Sequence, residues 1–170
     1  MFYIASVPNS RYQVVDHPVV KTFELWPKVW QVSLEVKFAN TVNGNWTNIL
    51  HFTNGSNGGS YGSRNPAIFV CPNSHKLQIC AAVNNDWNWN VVTDELPVDK
   101  WIKIYISQGR ISAQKYNFNV KVDDAETVNM TNEAPMSFNN VKVYAPDPWH
   151  FAADVEIRDL QTSGETHIGK

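Results

Sequence analysis

Trp30-Gln31-Val32-Ser33-Leu34-Glu35-Val36-Lys37-Phe38 alternates without a break. Trp30, Val32, Leu34, Val36 and Phe38 form one apolar set, and Gln31, Ser33, Glu35 and Lys37 the polar one. Period two with one wholly apolar set is the pattern of a strand with one side in a core and the other in water. The pattern returns at Tyr116, Phe118, Val120 and Val122, between Lys115, Asn117, Asn119 and Lys121, and again at Ile102, Ile104 and Ile106. Half-buried antiparallel strands of this kind build sandwiches and barrels.

Working outward, the remaining candidate strands are 19–26, 46–53, 67–71, 77–83, 91–93, 126–130, 138–145 and 155–160. In 46–53, Trp46, Asn48, Leu50 and Phe52 fall on one face by simple alternation. Residues 54–63 are rich in Gly, Ser and Asn and read as a long exposed loop, the most flexible part of the chain. Asp123-Asp124 reads as a tight turn. No segment keeps a helical period. About a dozen strands without a linker predict one antiparallel jelly-roll β-sandwich over residues 1–170.

Composition narrows the function classes. Of 170 residues, 43% are hydrophobic, which suits a folded domain. The formal net charge is −2 and the basic residues are scattered, which speaks against nucleic acid as a partner. No apolar run approaches a membrane span, so no membrane insertion is expected. The first ten residues lack a basic head and a long apolar stretch, so they do not read as a signal peptide. Asn45-Trp46-Thr47, Asn54-Gly55-Ser56 and Asn129-Met130-Thr131 nevertheless fit the N-glycosylation pattern and favour a secreted or extracellular protein.

The two cysteines point the same way. Cys71 and Cys80 flank a hairpin-like segment. If the turn centres on His75-Lys76, they face each other in a non-hydrogen-bonded pair, and a disulfide is feasible. Pro72 cannot donate to a ladder, so a loop that opens at Pro72 with another register is the alternative. The spacing does not suit a zinc knuckle.

Four stretches carry a family resemblance: residues 23–38, Asp99-Lys100-Trp101-Ile102-Lys103-Ile104, Asn119-Val120-Lys121-Val122-Asp123-Asp124, and Phe138-Asn139-Asn140-Val141-Lys142-Val143-Tyr144 followed by 152–160. In this order they resemble the concanavalin A-like jelly-roll superfamily, and within it the laminin-G-like modules. The chain departs from those modules in three ways. Asp124 stands where they have a turn glycine, no cysteine follows Cys80, and the closing strand lacks their Gly-Cys. The resemblance implies a module that binds glycans, proteins or sterol-like ligands, in several members with calcium.

Three constellations are candidates for function. In Asn84-Asn85-Asp86-Trp87-Asn88-Trp89-Asn90, Trp87 and Trp89 share a face of an extended segment. There they offer indole faces to sugar rings, and Asn85 and Asn88 offer amides to hydroxyls. In Ala145-Pro146-Asp147-Pro148-Trp149-His150-Phe151, two prolines stiffen a loop that presents Trp149. Asp86 and Asp147 supply hard oxygen atoms for calcium, although no compact calcium-loop spacing is present. A fourth pattern, Asp154-x-Glu156-x-x-Asp159, resembles the catalytic strand of a jelly-roll glucanase family, which has Glu at both ends where this chain has Asp. The expectation is a non-catalytic binding module for carbohydrate, without catalytic residues. A protein-interaction or adhesive module that contacts an extracellular protein or another copy of itself, as a homo-oligomer, is the alternative.

Overall fold

A computed structural model describes residues 2–3 and 19–165. Thirteen strands and no helix occur among the described residues. They are β1 (Phe2–Tyr3), β2 (Val19–Trp26), β3 (Val29–Phe38), β4 (Thr47–Thr53), β5 (Ala67–Val70), β6 (Leu77–Val83), β7 (Asp86–Val92), β8 (Trp101–Arg110), β9 (Tyr116–Val122), β10 (Ala125–Asn132), β11 (Phe138–Tyr144), β12 (Phe151–Ala152) and β13 (Val155–Glu165). A six-stranded sheet runs β1-β13-β3-β8-β9-β10. A seven-stranded sheet runs β2-β11-β4-β5-β6-β7, with β12 added on β4. The strand pairings are antiparallel apart from that of the two-residue β12, which runs parallel to β4. This is a jelly-roll sandwich.

The core lies between the sheets. Trp30, Val32, Leu34, Val36 and Phe38 of β3 are all buried beside Ile102, Ile104 and Ile106 of β8 and Phe118 and Val120 of β9. Opposite them lie Phe52, Ile68, Leu77, Ile79, Val141 and Val143 of the seven-stranded sheet. Each such side chain contributes about 2 kcal/mol of burial, which fixes the register of β3 against its neighbours. Trp26 sits within a group of rings, with centroids 4.9 Å from Phe23, 5.7 Å from Trp30 and 4.9 Å from Phe52.

Two hairpins close on residue pairs with positive φ, Asn84-Asn85 at 51° and 66° and Asp123-Asp124 at 48° and 64°. Left-handed pairs match the twist of the flanking strands, and Asn and Asp tolerate that region better than other residues with a Cβ. Asp124 thus does the work of a turn glycine. The first of these turns is confined to Asn84 and Asn85, and β7 begins at Asp86.

Candidate functional site

The two outer faces of the sandwich are built differently. On the six-stranded sheet, β3 shows Glu35 and Lys37 to solvent. Lys37 pairs with Glu156 at 2.8 Å, and Arg158 donates to Glu35. Both cations also cover the ring of Trp101, Lys37 Nζ at 5.0 Å and the Arg158 guanidinium at 4.0 Å from its centroid. This accounts for Glu156 of the glucanase-like pattern. Asp154 accepts from the Thr41 hydroxyl instead, and Asp159 stands at a break in the β13–β3 register with φ at 53°. The three carboxylates do not form one set.

The outer face of the seven-stranded sheet is aromatic and amide-rich, and two bulges make it so. In β4, Asn48 lies opposite Phe69 and Leu50 opposite Ile68, so Ile49 is an extra residue. A bulge of one residue switches which side chains face out. This corrects the single face expected for Trp46, Asn48, Leu50 and Phe52. Leu50 and Phe52 enter the core, while Asn48 and His51 stand opposite Phe69 and Ala67 on the far side of the sheet. Phe69, Ala67 and Cys80 form a second buried cluster there, separate from the main core.

The second bulge lies in β7: Ala81 pairs with Trp89 and Val83 with Asp86, so β7 carries one residue more than β6 between those pairs. It separates the two tryptophans expected to share a face. Trp89 packs into the core, 5.2 Å from Phe118 and edge-on to it. Trp87 instead lies under the Arg64 guanidinium at 5.5 Å and against Gly58, where a Cβ would sit 2.8 Å from the indole. Trp89 is therefore partly buried against the core and does not stand beside Trp87 on one face. Asn88 accepts from Arg64 Nη1 at 2.7 Å, and Asn85 is the second turn residue.

Residues 54–63, read from sequence as a flexible loop, are tied down. Thr53 Oγ1 accepts from the backbone of Gly55 and Ser56, and Ser63 Oγ lies 3.1 Å from that of Ser56 and 2.9 Å from that of Ser60. Gly62 is required: its φ is +98°, and a Cβ would stand 2.5 Å from Phe138. The loop delivers Arg64, whose Nε and Nη2 donate to the carbonyl and side-chain oxygens of Asn57 at 2.8 and 3.1 Å. The guanidinium rests on Phe69, 4.8 Å from the ring centroid.

Beneath this face lies a buried polar group. His51 and Asp147 have no exposed side-chain surface, and His51 Nδ1 meets Asp147 Oδ2 at 2.7 Å. His51 Nε2 faces the Ser63 carbonyl at 2.8 Å, so both ring nitrogens face acceptors. Asp147 Oδ1 accepts from the backbone N–H groups of Trp149 and His150, and His150 Nδ1 lies 3.0 Å from both carboxylate oxygens. Burial on its own would raise the pKa of Asp147. Hydrogen bonds from His150 and His51, with their charge, overcome that and hold the carboxyl well below the usual carboxylate range. Both oxygens of Asp147 are thus committed to protein partners, and Asp86 Oδ1 accepts from Asn88 N. Among the described residues no group of three or more His, Cys, Asp or Glu side chains converges as metal ligands.

Above this layer Trp46, Arg64, Phe69, Gln78 and His150 line a cleft of about 230 Å³. Trp46 is 41% exposed there, and Trp149 is 42% exposed nearby, edge-on to His51 at 5.5 Å and to Tyr144 at 5.8 Å. Of the residues singled out from sequence, Asn88 and Trp87 reach the cleft through Arg64, and Trp149 flanks it through His51. The sequence reading missed Trp46, His51, Arg64, Phe69, Gln78 and His150 as parts of one site. The available signal was the number of polar and aromatic residues in 46–51, beside a strand otherwise as apolar as a core strand.

The cysteines do not pair. Val70 lies opposite Leu77, and Cys71 N–H donates to the Lys76 carbonyl at 2.9 Å, so the turn centres on Asn73-Ser74, with Asn73 at φ 55°. Cys80 then faces Ala67, an offset of four residues or roughly 13 Å along a strand. Both thiols are free. Burial pushes the pKa of Cys71 up, and that of Cys80 up to about 11. Asn45, Asn54 and Asn129 are all exposed.

No family model matches the chain, and no curated protein matches it. Solved structures do. A native heptameric SAP-like pentraxin from Limulus polyphemus superposes with a TM-score of 0.54 at 15% identity, over 84% of this chain and 66% of that one. A Trypanosoma rangeli sialidase mutant displaying trans-sialidase activity gives 0.53 at 8% identity, over 79% of this chain and 20% of the enzyme. An alginate lyase from Pseudomonas aeruginosa gives 0.51 at 11% identity, over 82% and 68%. The chain thus spans just under two thirds of the pentraxin and a fifth of the sialidase. At these identities the likeness is one of fold, the antiparallel jelly-roll sandwich.

Proposed function

We propose that the chain is a non-catalytic, laminin-G-like module that binds carbohydrate in the cleft on the outer face of its seven-stranded sheet. One observation carries this reading. Trp46 offers exposed aromatic surface within the same 230 Å³ as the side chains of Arg64, Gln78 and His150, over the buried ring of Phe69. A sugar ring presents apolar C–H faces and a rim of hydroxyls, and it needs this mixture of aromatic surface and directed donors and acceptors. The side chains are also held in advance: Arg64 by Asn57 and Asn88, and His150 by Asp147. Little ordering entropy then opposes binding. The three exposed sequons accord with an extracellular setting.

A glycan array, read with and without chelator, tests the proposal. The strongest hit is then titrated into isotope-labelled protein. The side-chain N–H signals of Trp46 and Gln78 are expected to shift with ligand, while that of Trp101 on the opposite sheet stays. Shifts confined to the Trp101 face, or an array without any hit, would refute it. Release of reducing or unsaturated sugar from a bound polysaccharide would show an enzyme instead.

A further inference from the structure

Arg64 differs from the two cations that cover Trp101 on the opposite face. Lys37 and Arg158 each have a carboxylate partner. Arg64 is half-buried, and among the described residues no carboxylate forms an ion pair with it. Three of its five N–H groups meet oxygens, and all three oxygens belong to neutral amides, Asn57 O, Asn57 Oδ1 and Asn88 Oδ1. These contacts aim the guanidinium and leave its charge in place. The rings of Phe69 and Trp87 stabilise it by cation–π attraction and also take the place of water. A cation part-withdrawn from water without a counter-charge is costly for the protein alone. It is favourable once an anion arrives, because a charge-assisted hydrogen bond is stronger than a neutral one.

The rest of the cleft agrees. Trp46, Phe69, Gln78 and His150 add no negative charge to the lining. Asp147 is hydrogen-bonded to His51 and His150, and Asp86 Oδ1 accepts from Asn88 N–H. We propose that the ligand is an acidic glycan, whose carboxylate or sulfate is received by Arg64 while Trp46 packs on the sugar ring and His150 and Gln78 meet its hydroxyls. This rests on the glycan reading above and adds the charge of the ligand to it.

The experiment compares matched pairs by titration at low and high salt. The carboxylate arm is an oligogalacturonate against its carboxyl-reduced counterpart. The sulfate arm is a carrageenan oligosaccharide against its desulfated counterpart. In at least one arm the charged member is expected to bind about tenfold tighter, and added salt should narrow the gap. The arm that shows the gap identifies the anion. Arg64→Gln is expected to remove that preference, and Arg64→Lys to restore part of it, each checked for an unchanged melting temperature. If Arg64→Gln does not fold, the wild-type pairs still decide. Equal binding of charged and neutral members overturns the acidic ligand and leaves the glycan reading intact. So does a preference that survives in folded Arg64→Gln, which moves the anion away from Arg64. Binding of neither pair, with a neutral glycan bound elsewhere on an array, has the same meaning. No binding to any glycan overturns both.

Discussion

The two outer faces of this sandwich treat the same alternating pattern differently. On the six-stranded face β3 alternates without a break over residues 30–38. Every second residue of β3 is polar, and its charges are met across the strands, Lys37 by Glu156 and Glu35 by Arg158. On the seven-stranded face two breaks shape the cleft, at Ile49 of β4 and between Asp86 and Trp89 of β7. Those breaks turn His51 and Trp87 outward, and Arg64, between β4 and β5, hydrogen-bonds to neutral amide oxygens. A self-satisfied charged face is what keeps a sheet soluble.

The largest expected difference between the faces is in stability. Asp147→Ala removes the partner of buried His51 and the acceptor for two backbone N–H groups, and it is expected to cost about 3–5 kcal/mol. Glu35→Ala breaks a partly exposed pair and is expected to cost under about 1 kcal/mol. Urea melts of both variants measure this, and equal losses would erase the contrast. Its pH counterpart has a definite sign. The pKa of Asp147 is depressed in the folded state, so its stabilisation is complete above the unfolded carboxyl value, roughly 3.9, and drains away as pH falls below it. Stability of Asp147→Asn should therefore fall less steeply with acid than that of the wild type.

The next effect separates two tryptophans. Trp89→Ala opens the core beside Phe118 and is expected to lower stability by about 2–3 kcal/mol. Trp46→Ala, at an exposed position, should leave it within roughly 0.5 kcal/mol. Comparable melting temperatures for the two variants would mean that Trp89 does not pack against the core as described.

Much of the frame was legible in the chain. The alternation at 30–38 and 116–122 located two strands of the six-stranded sheet, because an uninterrupted apolar side fixes both face and register. The site was not legible, and for one reason. A bulge adds a residue without a signature of its own, and every face assignment past it reverses. Trp46, Asn48, Leu50 and Phe52 read as one side, and so did Trp87 and Trp89. The cysteine pairing failed in the same way: Asn73, with no glycine beside it, accepts the left-handed turn position and shifts the hairpin register off His75-Lys76. Arg64 lay beyond reach, since its placement depends on Asn57, seven residues away through a loop.

A smaller, chemical effect checks that register. Both cysteines should alkylate in denatured, non-reduced protein. In native protein at pH 8, Cys80 should resist, since it is buried and its pKa is pushed up to about 11. A mass two units low, with neither thiol modified, would restore the disulfide and the register that goes with it.

The most direct measurement sets one face against the other. A glycan that binds the wild type is titrated into Trp46→Ala, in the cleft, and into Trp101→Ala, on the charged face where Lys37 and Arg158 cover the indole. With both variants folded, the account predicts that Trp46→Ala weakens binding about tenfold, the loss of roughly 1.4 kcal/mol of ring contact, and that Trp101→Ala binds as the wild type does. Loss of binding in Trp101→Ala with none in Trp46→Ala would place the ligand on the six-stranded face and contradict it.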